Sequence, residues 1–148
     1  MPQSFRQTTG ARPSTATPSD SVLIIIGAWN EYTEGALNGT DAANPHKATA
    51  SLLNRYREAN GQIVHVDHQI PNRAPVSTPG PRPACVSTTA RDAVRFRHDT
   101  IIVVKDCVGD RAIPKASRAE VSQVTKMAMH NLICFATIVQ SSEINQHV

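Results

Sequence analysis

The feature that most constrains the fold is a short apolar run near the start of the chain, VLIII at residues 22–26. Four of its five residues are β-branched, and none is polar. A continuous apolar run without alternation is typical of a strand buried on both faces, as in parallel sheets. The run therefore predicts a strand over residues 21–26 inside a parallel sheet.

Predicted helices and strands alternate along the rest of the chain. A helix starting at Pro45 has apolar residues on one face and ends at Asn60 and Gly61, residues typical of helix C-termini. Ser117 and Glu120 fit the S-x-x-E capping box at the start of another helix. The other elements are a helix at 85–97 and strands at 62–67, 100–105 and within 133–140. This order predicts an α/β fold, a doubly wound parallel sheet with helices on both faces.

Length and composition predict one folded domain preceded by a tail. A chain of 148 residues, 40% of them hydrophobic and 18% charged, is large enough to bury a single core. Residues 1–20 are rich in Ser, Thr and Pro. We therefore expect residues 1–20 to be a disordered N-terminal tail and residues 21–148 to form the domain.

Charge and cysteine content limit the classes of partner and the cellular compartment that we expect. The net charge is +3, but the basic residues are scattered and only 4% of residues are aromatic, so we expect no nucleic-acid partner. No apolar run is long enough for a membrane span or a signal peptide, so we expect no membrane partner. Cys85, Cys107 and Cys134 form neither a disulfide framework nor a zinc pattern, which favours reduced thiols in the cytoplasm.

The segment at residues 68–84 differs from the rest of the chain because five of its seventeen residues are proline. Proline removes a backbone donor and fixes φ, so neither a helix nor a central strand can run through this segment. A βαβ unit needs about 30 residues. The segment is therefore too short to hold one.

The residues after this segment carry the strongest chemical signal, the run CVSTTARDA at 85–93. Cys85 stands where a helix is predicted to begin. Free backbone N–H groups and the positive end of the helix dipole favour thiolate over thiol at such a place. The pattern is typical of a nucleophilic cysteine, although a lone cysteine is more commonly a small buried thiol.

The run closely resembles the nucleophile motif of the isochorismatase-like cysteine hydrolases. Further resemblance lies in four segments, at residues 23–32, 63–68, 103–111 and 135–144. The resemblance implies a doubly wound α/β hydrolase that cleaves an amide or related C–N bond, or a vinyl ether, of a small molecule. It implies Cys85 as nucleophile and the backbone N–H groups of Ala84 and Cys85 as the oxyanion hole. It implies no cofactor and leaves homo-oligomerisation open.

Two departures from the family pattern predict impaired catalysis. The resemblance places a proton-accepting Asp at the end of the first strand, where this chain has Gly27, and a Lys between the second strand and the Cys, where residues 68–84 contain none. The connector is also short by about one βα unit and one strand, the strand that would carry Cys85. The alternative function is therefore a non-catalytic remnant that binds a small molecule or dimerises.

Other polar and sulfur groups receive weaker assignments. His65, Asp67 and His68 form an H-x-D-H pattern, but His65 and Asp67 share a strand face while His68 points away, so we expect no metal site. We expect His68 and Trp29 to line a substrate pocket, although Trp29 could instead fill space beside Gly27. Four further side chains are assigned structural positions: Asp106 and Arg111 should fix the loop after the third strand, and Cys107 and Cys134 should lie in or near the core.

Overall fold

The computed structural model describes residues 8, 10, 15–27, 43–66, 84–98, 100–110 and 116–144. Strands and helices alternate along these residues. The strands are β1 (Val22–Ile26), β2 (Gln62–Val66), β3 (Ile102–Val104) and β4 (Thr137–Val139). The helices are α1 (Ala43–Glu58), α2 (Ala84–Arg95) and α3 (Arg118–Leu132). A 3₁₀ turn follows β3 at Lys105–Cys107, and another follows β4 at Ser141–Glu143.

The strands pair in parallel, as predicted, but they form two separate sheets. In the first sheet β1 pairs with β2, placing Ile24 opposite Val64. In the second sheet β3 pairs with β4, placing Val103 opposite Ile138. Across the described residues, no strand ladder joins one pair to the other. The parallel α/β class is confirmed, and the sheet is short relative to a full doubly wound fold.

Helix α1 ends where the sequence predicts. Asn60 adopts the left-handed conformation with φ of 52°, which Asn tolerates better than most residues. The chain then reverses direction, and the amide of Gly61 donates a hydrogen bond of 2.7 Å to the Tyr56 carbonyl oxygen. This bond satisfies a carbonyl of the last helical turn. The local sequence thus stops α1 and directs the chain into β2.

Helix α1 packs against both sheets and joins them. Leu52 and Tyr56 are 2% and 3% exposed and form the centre of an apolar cluster that we call the α1 cluster. Leu23 and Ile63 reach it from the first sheet, while Ile102, Val104 and Val139 reach it from the second. Because no strand ladder joins the described parts of the two sheets, this packing is their main connection.

The opposite face of the second sheet is covered by α2 and α3. Val103 points to this face, whereas its neighbours Ile102 and Val104 point to α1, as strand alternation requires. Leu132 is fully buried here, together with the small side chains of Ala90 and Ala136. We call this group, with Met129, the α2–α3 cluster. The second sheet is therefore covered on both faces.

The first sheet is covered on one face only. Ile25 is buried, but Val22 and Ile24 on the opposite face of β1 are 47% and 48% exposed. Val64 and Val66 of β2 lie on the same side and are 46% and 43% exposed. We call this surface the outer face of β1–β2. The prediction that β1 is buried on both faces is wrong, because no described helix packs on this side.

The packed part of the chain begins before the predicted boundary at residue 21. Residues 15–20, which the sequence places in the tail, form a turn in which the Thr17 amide donates to an Asp20 carboxylate oxygen at 2.7 Å. Ala16 is buried in the α1 cluster. A Cβ at Gly61 would lie 2.5 Å from the carbonyl oxygen of Pro18, so the close contact of this turn requires glycine.

The capping box predicted for α3 is confirmed. The Glu120 amide donates to Ser117 Oγ at 3.3 Å, and the Ser117 amide donates back to a Glu120 carboxylate oxygen at 2.7 Å. Two backbone donors of the first turn are thereby satisfied. Ser117 Oγ also donates to the Glu120 carboxylate at 2.7 Å. This side-chain bond and, to a lesser extent, the bond from the Ser117 amide lower the pKa of Glu120. Among the described helices, none is both long and apolar enough to cross a membrane.

Candidate active site

Cys85 occupies the first turn of α2, and its side chain is exposed. The helix begins at Ala84, one residue before the cysteine. The first four N–H groups of an α-helix have no partner within the helix. The backbone N–H groups of Ala84 and Cys85 therefore belong to the set that can bind an anion, which is the geometry that an oxyanion hole needs.

The position of Cys85 follows from the packing of the rest of α2. Val86 and Ala90, one helical turn apart, both contact the α2–α3 cluster. Residues on that stripe face the core, so the adjacent Cys85 points away from it. The sequence of α2 thus anchors the helix through its apolar stripe and leaves the thiol accessible.

Gly27, directly after β1, has a conformation and surroundings that bear on the missing carboxylate. Its amide donates to the Val66 carbonyl oxygen at 3.2 Å, extending the pairing of β1 with β2 by one residue. Its φ is +64°, a region that glycine enters freely and that Asn and Asp enter more readily than other residues. A Cβ built on Gly27 has no heavy atom within 4 Å. This position therefore has room for a side chain, and Gly27 itself supplies no group that accepts a proton.

Several predicted site residues cannot be placed. Trp29, His68, Asp67 and Arg111 lie outside the described residues. The same is true of the connector at 68–83. His65 lies on β2 opposite Ile25 and is exposed. In the ranges that the structure describes, no three His, Cys, Asp or Glu side chains come close enough to hold a metal ion.

The other two cysteines differ from Cys85 in position. Cys107 is partly buried against the α1 cluster, and burial raises the pKa of its thiol despite an opposing hydrogen bond from Thr49. Cys134 is exposed, so the prediction that it lies in or near the core is wrong. It sits in the turn after α3, between Leu132 and Ala136, and those two side chains take the core positions.

The turns after β3 and β4 are tied together at the carboxyl edge of the second sheet. The Ser141 amide donates to Asp106 Oδ1 at 2.7 Å, and Ser141 Oγ donates to Asp106 Oδ2 at 2.5 Å. The Arg55 guanidinium reaches the same turn from α1, donating to the carbonyl oxygens of Ser141 and, at 3.0 Å, Ile144. Asp106 therefore fixes the loop after β3 through hydrogen bonds.

Sequence reasoning found Asp106 but missed Ser141, its hydrogen-bond partner, and Arg55, which donates to the same turn. Arg55 lies 86 residues before Ser141, and nothing local in either segment indicates that they meet. The one available signal is that Arg55 occurs between Leu52 and Tyr56, on a helix face that is otherwise apolar. A charged group on such a face needs a partner. These three residues position the carboxyl edge of the sheet.

Comparisons with known proteins identify the family. No family model matches the chain. A secreted isochorismatase effector of Verticillium dahliae is 34% identical over 192 residues, covering 96% of this chain and 99% of that protein. An isochorismatase-like protein of Emericella nidulans is 38% identical over 143 residues, covering 96% of this chain and 85% of that protein. The chain belongs to the isochorismatase-like family. The resemblance read from the Cys85 motif is confirmed.

A solved structure gives independent support for the fold of this family member. An isochorismatase from Pseudomonas putida superposes with a TM-score of 0.76 over 98% of this chain and 100% of that one, at 20% sequence identity. A likeness at 20% sequence identity supports a shared fold but does not show a shared activity. The isochorismatase fold predicted from the sequence is therefore confirmed.

The two alignments of this family member differ in length. The aligned stretch of the Verticillium protein is 192 positions, which exceeds this chain's 148 residues by 44. Since 96% of this chain and 99% of the relative are covered, the extra positions lie inside the alignment rather than at its ends. The Emericella alignment covers the same share of the chain in 143 positions, so it contains no insertion of comparable length.

Proposed function

We propose that this family member descends from hydrolases that cleave a C–N bond of the amide type, or a related bond, in a small molecule, and that Cys85 is the nucleophile. The observation that supports this role is the exposed thiol in the first turn of α2, inside the nucleophile motif. An accessible thiol beside free helix N–H groups is placed both to attack a carbonyl and to have the resulting oxyanion held. No cofactor is needed for this step.

The proposed chemistry proceeds by acyl transfer. The Cys85 sulfur attacks the carbonyl carbon, and the carbonyl π electrons move to oxygen, where the N–H groups of Ala84 and Cys85 stabilise the negative charge. The C–N bond then breaks, the amine departs with the proton that the thiol has lost, and a thioester remains on Cys85. Water hydrolyses the thioester, releasing the acid and restoring the thiol.

We propose further that turnover is impaired. In related hydrolases an Asp accepts the thiol proton, and Gly27 holds that position here without a side chain. Removing one member of a nucleophile–base pair typically lowers the rate by ~10⁴-fold or more. The residual rate would then depend on the accessibility of the Cys85 thiol and on the oxyanion donors.

Selective alkylation tests whether Cys85 is activated, and Cys134 provides the matched control. Both thiols are exposed, but Cys85 lies in the first turn of α2 while Cys134 follows the last turn of α3. The first place is next to backbone N–H groups that can stabilise negative charge, and the second is next to carbonyl oxygens that cannot. With iodoacetamide at neutral pH, followed by peptide mass spectrometry, we expect Cys85 to react about tenfold faster or more. Equal rates would contradict an activated Cys85.

Restoring the carboxylate tests the impairment. Gly27→Asp places a proton acceptor where the structure leaves room for it, and Gly27→Asn has the same shape without the charge. With 4-nitrophenyl acetate as a small carbonyl substrate, we expect Gly27→Asp to raise the rate of nitrophenolate release on the order of 10- to 100-fold. Acetylated Cys85 should accumulate, and the release should disappear in Cys85→Ala. The same gain in Gly27→Asn would contradict the role of the carboxylate.

A second candidate function is a non-catalytic module that binds a small molecule or forms a homo-oligomer. The divided sheet and the missing side chain at Gly27 favour it. The two candidates make different predictions for Cys85→Ala. This variant abolishes acyl transfer in a hydrolase but leaves the binding of a small molecule, measured by calorimetry, unchanged in a module. Neither candidate involves nucleic acid or a membrane.

The compartment is part of the proposal as well. Three cysteines without a disulfide framework favour the cytoplasm. The Verticillium relative, however, is described as secreted. Cell fractionation with thiol labelling of the native protein separates these cases, because a cytoplasmic chain should retain three free thiols.

A further inference from the structure

Helix α2 carries two arginines one turn apart, and the two have different partners. A guanidinium nitrogen of Arg95 lies 3.4 Å from an Asp92 carboxylate oxygen, which belongs to the same helix. Arg91 instead reaches α3. Its guanidinium donates a hydrogen bond to Asn131 Oδ1 and lies over the ring of Phe135, 5.3 Å from the ring centroid. Arg91 therefore joins two helices, whereas the described partner of Arg95 is on its own helix.

The end of α3 is a favourable place for a guanidinium. Asn131 lies in the last turn of α3, and Phe135 follows in the turn after the helix. The last carbonyl groups of a helix carry partial negative charge and attract a cation. The face of an aromatic ring attracts it as well, and the planar fork of arginine can donate to an amide oxygen at the same time. The compact ammonium of a lysine cannot make both contacts at once.

The apolar contacts of α2 are few by comparison. Among the described side chains of this helix Ala90 is the buried one, at 5% exposure, and Val86 is partly buried against the same α2–α3 cluster. These two residues lie on one stripe of the helix, a single turn apart. Two contact points leave a helix free to turn about the line that joins them. The contacts of Arg91 lie off that line, so they fix the helix where the stripe does not.

The thiol of Cys85 moves with α2 because it belongs to the same helix. Cys85 lies six residues before Arg91, about 9 Å along the helix axis. The N–H groups of Ala84 and Cys85 are carried by the same first turn. A displacement of ~1 Å between a nucleophile and the group that assists it can lower a rate by about 100-fold. The contacts of Arg91 therefore bear on where the thiol stands relative to groups on other elements.

We propose that Arg91 is a positioning residue for the Cys85 nucleophile. Its contacts with Asn131 and Phe135 hold α2 against α3 and thereby fix the place of the thiol. This inference rests on the proposed function of Cys85. A distance measurement tests the position of the thiol without any activity, so a failure of the positioning role can be told apart from a failure of the proposed function.

Two native thiols report the position of α2 relative to α3. Nitroxide labels on the exposed Cys85 and Cys134, in a Cys107→Ala background, give the distance from the first turn of α2 to the turn after α3. We expect Arg91→Met to shift or broaden this distance by about 2 Å in double electron–electron resonance. Arg95→Met is the matched control and should keep the parent distribution. Equal distributions for Arg91→Met and the parent would overturn the proposal.

A kinetic cycle with Gly27→Asp tests the consequence for catalysis. The new carboxylate follows β1 and not α2, so its effect depends on where α2 is held. We expect Arg91→Met to lower the gain that Gly27→Asp brings in nitrophenolate release by about tenfold or more. Without the carboxylate, Arg91→Met should change the release less than about twofold, because the thiol and its oxyanion donors move together. Arg95→Met should lower neither rate.

The outcomes of this cycle separate the two ideas. An arginine that only stabilises the fold would leave the gain from Gly27→Asp unchanged at temperatures well below unfolding, and that result would overturn the positioning role. If Gly27→Asp brings no gain in the parent chain, the proposed cause of the impairment is contradicted. The distance between Cys85 and Cys134 then decides the positioning role alone.

Milder variants guard against misfolding. Arg91→Lys keeps the charge without the planar fork, and we expect it to recover at most half of the change in distance. Asn131→Leu keeps the volume of the side chain but removes the acceptor. Combined with Arg91→Met it should change the distance no further than Arg91→Met alone. Additive changes would mean that the two residues act independently, and the proposal would fail.

Discussion

β1–β2 and β3–β4 are both pairs of parallel strands rich in β-branched residues, yet they are buried to different extents. Val103 of β3 is 5% exposed and lies between helices on both faces of its sheet, whereas Ile24 of β1 is 48% exposed. The two pairs share α1 as a cover on one side. The difference therefore lies entirely in what covers the other side.

This contrast shows that the formation of a strand and its burial have different causes. An apolar, β-branched sequence is sufficient to form the strand, because both pairs have regular registers. Burial depends on a second segment that packs against it. In this chain the C-terminal half supplies that segment through α2 and α3, and the described N-terminal half does not.

The largest effect is expected when an apolar side chain is truncated in each of the two regions. Leu132→Ala removes a fully buried side chain from the α2–α3 cluster, and we expect a loss of about 2–5 kcal/mol in the free energy of unfolding. Ile24→Ala removes an exposed side chain from the outer face of β1–β2, and we expect less than about 1 kcal/mol. Urea titrations followed by circular dichroism measure both. Equal losses would show that the outer face is buried in solution.

The next test concerns the link between the two sheets. The Arg55 guanidinium joins α1 to the turn after β4, and its buried Nε has no partner among the described residues. Arg55→Met keeps the length of the side chain but leaves two carbonyl oxygens without their donor. We expect a loss of about 2 kcal/mol and a shallower urea dependence, since the sheets would unfold less cooperatively.

Arg55→Lys is the control for charge. A single ammonium lacks the planar fork that donates to two carbonyl oxygens at once, so we expect this variant to recover at most half of the loss. Full recovery would mean that charge near the turn, rather than the paired hydrogen bonds to Ser141 and Ile144, stabilises the link.

The order of elements could be predicted because its signals are local. The helix stop at Asn60 and the capping box of Ser117 with Glu120 are both found within one turn of the chain. The strand signal at residues 22–26 is equally local. Cys85 at the start of α2 followed from the same kind of reasoning and from the family motif.

The features that could not be predicted depend on contacts between distant residues. Among the described residues no ladder joins β1 to β3, and nothing within the sequence of β1 indicates this, because it depends on residues elsewhere in the chain. The contact of Arg55 with Ser141 spans 86 residues. Cys134 was assigned to the core from its apolar neighbours, but those neighbours occupy the core and leave it outside. The pocket roles of Trp29 and His68 stay predictions.

A third test asks whether residues 15–20 belong to the first sheet's packing. Gly61→Ala would place a Cβ 2.5 Å from the Pro18 carbonyl oxygen and 2.9 Å from Tyr56 Cδ1, so the turn must move away. We expect a loss of about 1–2 kcal/mol in the free energy of unfolding, together with faster proteolysis before β1. Gly109→Ala is the matched control, because its Cβ would lie 3.8 Å from Pro45 in ordinary contact. Equal melting temperatures for both variants would place the turn outside the fold.

The smallest expected effect is on the stability of α3, one of the helices that cover the second sheet. No described helix takes the equivalent place on the outer face of β1–β2. Hydrogen bonds from Ser117, the side-chain bond first, hold the pKa of Glu120 below its ordinary value of 4.5. A carboxyl group whose pKa is lower in the folded state stabilises the fold when the pH is above its unfolded-state pKa. This stabilisation is lost as the pH falls through the folded-state pKa. We therefore expect the parent chain to be slightly more stable than Glu120→Gln at pH 7 and equal to it at low pH.

Combining this change with Ser117→Ala decides the cause. Once the serine hydroxyl is gone, the pH dependence of the difference between Glu and Gln at position 120 should shrink, because the largest stabilising bond to the carboxylate is absent. Amide exchange should locate the effect in α3 and β3–β4, since α3 packs on that sheet. A pH-dependent change in β1–β2 of the same size would show that the two sheets respond as one unit, and the contrast between them would then be confined to their exposed surfaces.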